Sequence, residues 1–389
     1  MTQFQEPKLQ GRVLVCWSGS NRRSIAQEIV SQLEFSGFNC DLVRGPLNED
    51  RVNKLEHYLE INSRNMSRTL YFTTRLWLAN CLDLFVFCKA AFYSKPNFVI
   101  SFSPHFAVFA IIYSKLIFRR IVNVHWSVDY SPKRFDSRTR NMLYLLFDKI
   151  ACTYSDVHVE LNEHALVTRL KSLRLERKKH HLVIPVGIDS QGLNMVRDGN
   201  FLNRRIVFLG NLSVHQGVLE LISSIPKIVR EYPDVELHIV GEGPASGKVK
   251  ELVKTLGLSE SVIMHGYLEH DDLQNLLESM TLGVAPYQQN PLSFSNYADP
   301  AKVKMYLSKG LPVVMTPVSE LSSTLMNLGS ARLCKCEPES IALVVNEILG
   351  DFNGWLTMRN STFKYASSLS WDVILKDLLE LFLFPSNNK

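Results

Sequence analysis

The chain has 389 residues, 46% of them hydrophobic and 21% charged, enough for about two domains of ~150–200 residues with cores of their own. A formal net charge of +5 is too small to imply a nucleic-acid partner and suits anionic small molecules or an anionic membrane surface. Seven cysteines without paired spacing argue against a disulfide framework and for a reducing, cytoplasmic setting; the sequence shows neither an apolar signal core nor a run of about 20 uncharged apolar residues.

In chain order, RVLVCWSGS (12–20) reads as a strand ending in Ser and Gly. Ile25, Ile29 and Leu33 then fall at helical spacing, and FNCDLVRG reads as a second strand. NFVISFSP, RIVNVHWS and DVHVELN continue the strands, and HLVIPVGIDS closes the first half near residue 190. The polar stretch 191–205 reads as the linker. After it the pattern restarts: IVFLGNL, a helix over 217–231, VELHIVGEG, a helix in KVKELVKTLG, then VIMHGYL, TLGVAPY and LPVVMTP, and a helix in PESIALVVNEILGD. The expectation is an α/β chain of two doubly wound halves, residues 1–190 and 203–370, with ligands bound at the carboxyl ends of the strands and in the cleft between the halves.

ADPAKVKMYLSKGLPVV (298–314) predicts a helix with Asp299 as N-cap and Pro300 at the first helical position, ending at Lys309-Gly310. First-turn amides, the helix dipole and Lys302 together make a phosphate-sized anion site; the plainer alternative makes Lys302 and Lys304 a solvated face. Gly19, after the first strand, lets a ligand approach the backbone or serves a tight turn. GEGPASGK (241–248) fails as a phosphate loop, because Glu242 stands where a glycine is needed and Val249 where a hydroxyl is needed. His105 and His125 lie at or near strand ends, where α/β sites recruit residues, or are satisfied core histidines; Asp129 and Arg134 flank YSP, where the plain alternative is a loop salt bridge. Cys334-x-Cys336 lacks a second pair and no two histidines have ligand spacing, so no metal is expected. Segments 64–93, with Arg64, Arg68 and Arg75, and 106–120 set basic residues beside apolar faces, as either membrane-surface elements or core helices.

IVFLGNLSVHQG, VELHIVGEGP, VIMHGYLEHDDL and ADPAKVKMYLSKGLPVV together resemble the donor-binding domain of retaining glycosyltransferases of family four. VDYSPKRFDSRTRNMLYLLFDKIACTYSD and VIPVGID look like the family's acceptor-side domain. The resemblance implies a GT-B fold, two Rossmann-like domains facing across a cleft, with a terminal helix in 371–389 returning to the first domain. It implies hexosyl transfer from a nucleotide-diphosphate sugar, with retention and without metal, to a lipid-linked or glycan acceptor, in the cytoplasm or at the inner face of a membrane. Gly19 would lie under the diphosphate, Gly266, Tyr267 and Leu268 along the base, and Lys302 on the phosphates, while His125 and Asp129 would orient acceptor or sugar hydroxyls, with His105 the rival of His125 and Arg134 on the acceptor side. Four positions depart from the family pattern: Asn211 and Gln216 replace its arginine and lysine, and Tyr297 and Met305 replace its two glutamates. Met305 cannot hold a ribose, so Glu242 or a backbone carbonyl would; Arg22 or Arg23 would help Lys302 with charge. These losses raise a rival expectation, a catalytically silent relative that binds a nucleotide sugar or scaffolds a partner transferase.

Overall fold

The computed structural model describes residues 11–18, 25–46, 55–62, 66–72, 76–128, 130, 134–135, 137–289, 297–376 and 378–379. The chain divides into two compact units, Met1–Ile184 with Leu375–Lys389, and Pro185–Ile374.

The first unit is built from β1 (Arg12–Ser18), α1 (Ile25–Phe35), β2 (Asn39–Gly45), β3 (Leu55–Ile61), β4 (Met66–Phe72), α2 (Leu76–Ser94), β5 (Phe98–Ser101), α3 (Pro104–Leu116), β6 (Val122–Trp126), α4 (Arg138–Tyr154), β7 (Val157–Glu160), α5 (Glu163–Leu173) and β8 (His181–Val183). Its eight strands run in the order β4-β3-β2-β1-β5-β6-β7-β8. The β2–β3 and β3–β4 pairs are antiparallel and the others parallel. Short uninterrupted apolar strands such as Phe98–Ser101 are buried along their whole length, as expected for parallel strands covered on both faces.

Segment 64–93 is not one amphipathic element. Its first part is the edge strand β4, antiparallel to β3, where Arg68 is exposed; Arg64 and Arg75 lie outside the described residues. The alternation in LEHYLEI, which carries β3, is the signal that marks this hairpin. Helix α3 buries Phe106, Ala107, Val108, Ala110 and Ile111, a core face, while Ile112 and Leu116 are exposed.

The second unit comprises α6 (Asn200–Asn203), β9 (Arg205–Leu209), α7 (Val218–Glu231), β10 (Glu236–Val240), α8 (Ser246–Thr255), β11 (Val262–Gly266), α9 (His270–Leu277), β12 (Leu282–Ala285), α10 (Ala301–Ser308), β13 (Val313–Met315), α11 (Glu320–Asn327), β14 (Ala331–Leu333), α12 (Pro338–Leu349), α13 (Phe352–Ser368) and α14 (Trp371–Ile374). Six parallel strands run in the order β11-β10-β9-β12-β13-β14, so the winding reverses between β9 and β12. A crevice at the carboxyl ends of that strand pair is where such a sheet accepts ligands.

The stretch read as a linker is packed onto this unit. Asn194 N and Val196 N donate to the carbonyls of Ser308 (3.1 Å) and Lys309 (2.9 Å), and Arg359 Nη1 donates to Val196 O (2.9 Å). A polar composition looks like a linker, but these polar groups are spent on the end of α10 and on α13.

Candidate functional site

The loops after β9, β12 and β13 enclose a cavity of ≈ 270 Å³ at the β9/β12 reversal, lined by Gly210, Asn211, Gln216, Tyr287, Ala298–Lys302, Val318 and Ser319. Strands β9 and β12 pair only through Ile206 and Val207, then splay apart. Tyr306 from α10 fills the gap: its hydroxyl accepts from Leu209 N (2.9 Å) and lies 3.3 Å from Val284 O. Its ring leaves no room for a side chain at Gly283, where a Cβ would fall 2.5 Å from the ring.

The start of α10 differs from the sequence expectation. Pro300, at φ −72° and ψ 107°, is the N-cap, and Ala301 is the first helical residue. Asp299 does not cap. Its carboxylate accepts from Val186 N (2.7 Å) and pairs with Lys304 Nζ (3.3 Å), all buried. A proline whose ψ is still extended cannot begin the helix itself, so the boundary moves one residue on. Val303 N and Lys304 N donate to Pro300 O, which leaves the amides of Ala301 and Lys302 without an intrahelical acceptor. At the other end Gly310 adopts φ +69°, with Leu311 N donating to Tyr306 O and Gly310 N to Leu307 O, a Schellman stop that turns the chain into β13.

Lys302 reaches into the cavity from this first turn. Its Nζ donates to Gln216 Oε1 (2.6 Å) and stands 4.5 Å from the centre of the Phe208 ring and 4.4 Å from that of Tyr287. Burial lowers its pKa to about 7, and no carboxylate pairs with it among the described residues. The neighbouring Lys304, by contrast, is neutralised by Asp299. Ser319 adds a second polar group: it is the N-cap of α11, nearly buried, and its Oγ has no hydrogen-bond partner. An ammonium, two free amides and an orphan hydroxyl thus converge in one cavity, a donor set for an anion.

The turns after β9, β10 and β11 stack beside it. Gly210 and Gly241, at φ +129° and +127°, are so close that a side chain at 241 would run into Gly210 O. Asn211 leans over Gly243, and the exposed Glu242 lies against Gly266, which has φ +68°. Tyr267 is exposed and Leu268 half-buried just beyond. Of the residues named from sequence, Asn211, Gln216 and Lys302 therefore share the cavity, while Glu242, Gly266, Tyr267 and Leu268 follow along adjacent strand ends. Tyr297 and Met305 do not line it; Met305 packs against the core of the unit, as its chemistry suggests. Sequence reasoning missed Tyr306, Tyr287 and Ser319. A serine before the acidic start of a helix, as in Ser319-Glu320, was the available signal.

In the first unit, His105 sits in the first turn of α3 with Nε2 3.3 Å from Asp83 Oδ2, and His57 Nε2 lies 2.8 Å from Asp83 Oδ1. Burial alone would raise the Asp83 pKa, but the two histidines hold it below the usual range. Arg134 N donates to Asn141 Oδ1 (2.9 Å), and its guanidinium lies 5.5 Å from the Tyr144 ring centre. His125 is fully buried between β5 and β7, the core-histidine alternative rather than a ligand-facing one: its side chain turns toward Asp148 of α4 and stacks on His158 of β7. Gly19, Arg22, Arg23 and Asp129 lie outside the described residues.

Residues 203–351 match the family model described as glycosyl transferases group 1. An uncharacterized glycosyltransferase of Methanocaldococcus jannaschii is 27% identical over 182 residues, 46% of this chain and 44% of that protein, so the chain spans less than half of that relative's length. The solved structure of sucrose-phosphate synthase from Thermosynechococcus elongatus is similar with a TM-score of 0.71 at 13% identity, covering 97% of this chain and 100% of that one. HepE of Anabaena, solved in complex with UDP-glucose, gives a TM-score of 0.66 at 15% identity over 95% of this chain and 99% of that one. The chain therefore has the GT-B fold, and residues 203–351, which contain the cavity around Lys302, match the glycosyl transferases group 1 model.

Proposed function

We propose that the chain transfers a hexosyl group from a nucleotide-diphosphate sugar to a lipid-linked or glycan acceptor, with retention and without a metal at the donor. One observation carries the reading: the Lys302 ammonium, half-buried and unpaired with any carboxylate among the described residues, meets free helix amides and Ser319 Oγ in a single cavity. Breaking the sugar–phosphate bond builds negative charge on the leaving diphosphate, and donors fixed in advance stabilise it as it forms. HepE, a structural neighbour, is solved with UDP-glucose, which supports a donor of this class. In family four the departing phosphate assists deprotonation of the acceptor, so no protein nucleophile is required.

Neutral Asn211 and Gln216 on the cavity wall favour a second reading, a chain that binds a nucleotide sugar without turning it over. Donor hydrolysis or transfer without added metal, abolished in Lys302→Ala, establishes the enzyme. Binding of a UDP-, GDP-, ADP- or TDP-sugar with no turnover across a broad acceptor panel establishes the binder.

For a lipid-linked acceptor, a surface on α4 joins that of 64–93, where α2 exposes Phe85 and Phe92. Helix α4 leaves the carboxyl end of β6 and exposes Met142 (70%), Leu143 (45%) and Leu146 (53%) beside exposed Arg138 and Arg140. Apolar side chains flanked by arginines suit an anionic bilayer surface. No helix among the described residues is long and apolar enough to cross a membrane. Co-sedimentation with phosphatidylglycerol-containing liposomes at low salt is expected for the wild type and lost in Met142→Glu/Leu146→Glu. Equal sedimentation of both proteins overturns the α4 assignment.

A further inference from the structure

Helix α4 buries an unusual face. Its buried residues are Asp148, Ala151 and Cys152, while Met142, Leu143 and Leu146 are left outside. Asp148 and Cys152 are four apart and so project from the same side of the helix. Opposite them, His125 on β6 and His158 on β7 are direct register partners, and their rings stack with centroids 5.3 Å apart. Adjacent residues on paired strands point to one side of a sheet, so both imidazoles meet the acid and the thiol of α4. All four side chains are fully buried.

The donor atoms are spaced like the corners of a coordination shell. Ligand atoms of His125, Cys152 and His158 lie within 4.8 Å of one another. Cys152 Sγ is 3.6 Å from His158 Nε2 and 3.9 Å from Asp148 Oδ1, and Asp148 Oδ1 is 3.6 Å from His125 Nε2. Tetrahedral zinc, with bonds of about 2.0–2.3 Å, separates its ligand atoms by about 3.3–3.8 Å. As a purely protein network the same contacts are incomplete: the Cys152 thiol meets His158 Nε2 and Asp148 Oδ1 at sulfur hydrogen-bond distances, but His125 Nε2 is a buried nitrogen without a hydrogen-bond partner.

The surroundings also fit. His125 Nδ1 lies 3.2 Å from Ser101 O, the carbonyl contact that selects the tautomer with a free Nε2 lone pair. Arg169 Nη1 donates to both oxygens of Asp148 (2.7 and 2.6 Å), and its Nε donates to Glu160. A divalent ion and this guanidinium would together balance a thiolate and two carboxylates in an otherwise closed interior.

We propose that His125, Cys152, His158 and Asp148 form a buried structural site for a divalent transition cation, with zinc the best match to an N₂SO donor set. The ion replaces the thiol proton of Cys152, which leaves to solvent as the sulfur–metal bond forms. It ties α4 to β6 and β7 in the first unit and has no part in the transfer chemistry proposed above.

The test is metal analysis of the full chain expressed in zinc-supplemented medium and purified without chelator. The expected result is about one zinc per chain, and a thiolate-to-cobalt charge-transfer band once cobalt replaces it. Cys152→Ala and His158→Gln should lose the stoichiometric metal. If a variant fails to fold, chelator-treated wild type titrated with zinc decides: uptake of one equivalent with proton release and a raised Tm supports the site. A wild type that carries no metal and takes up none, or a folded Cys152→Ala that keeps the full equivalent, overturns it.

Discussion

Lys302 combines a half-buried side chain, its ammonium turned away from water, with the absence of a carboxylate partner among the described residues. Its pKa, lowered to about 7 by desolvation, sets the sign of two effects. The unfolded chain holds this proton up to about pH 10.4, so between about 7 and 10 the unfolded state binds more protons than the folded one, and the contribution of this group to stability rises with pH. Anion binding runs the other way, because a diphosphate needs the ammonium and must draw a proton onto the lysine. At pH 8, calorimetry of nucleoside-diphosphate binding in buffers of different ionisation enthalpy should show uptake of most of one proton, absent in Lys302→Met. That variant should bind about 10–100-fold more weakly, the worth of one charge-assisted hydrogen bond of about 1.5–3 kcal/mol. It should fold normally, since methionine suits a site walled by Phe208 and Tyr287.

The helix that carries Lys302 is aimed by contacts at its start and middle. Where β9 and β12 part, Tyr306 supplies the partner that Leu209 N would otherwise lack. Tyr306→Phe leaves that amide buried and unpaired, at a cost of about 1–3 kcal/mol. Urea unfolding should show a lower midpoint at unchanged slope. Gly283→Ala should destabilise by a similar amount, about 1–3 kcal/mol, because its methyl would meet the Tyr306 ring.

Such couplings also explain what could be read in advance. The strands β9 to β13, Lys302 and the Gly310 stop all have local signals, namely short apolar runs, a proline-bounded helix start and a positive-φ glycine, whereas the short β14 is not read from the sequence. Ser319 has a weak one, a serine before an acidic helix start, whereas Tyr306 and the buried face of α4 have none, because Tyr306 meets Leu209 97 residues away and the partners of α4 lie on strands reached only through the fold. His125 looked like a ligand-facing residue for the same reason: a histidine near a strand end gives no local sign of the helix that will cover it.

At the scale of the molecule, the second unit has the attributes of an autonomous domain. Its core cluster runs from Ile188 to Leu369 and contains no residue of the first unit, whose central cluster lies between Leu14 and Ile121. Its two chain ends are clipped together: Ile188 N donates to Leu369 O (2.9 Å), Trp371 N donates to Ile188 O (3.1 Å), and Gly187 lies flat against the Trp371 ring. A fragment spanning 185–374 therefore begins and ends at a closed seam, and it contains every residue that lines the Lys302 cavity. It should unfold in one cooperative transition, with coincident fluorescence and circular-dichroism curves. It should also bind a nucleoside diphosphate with the proton uptake of the full chain, yet transfer no sugar, since the proposed function assigns the acceptor to the first unit. A fragment that folds but shows neither binding nor proton uptake would place the anion site elsewhere in the chain, since nothing in the cavity itself would have been removed.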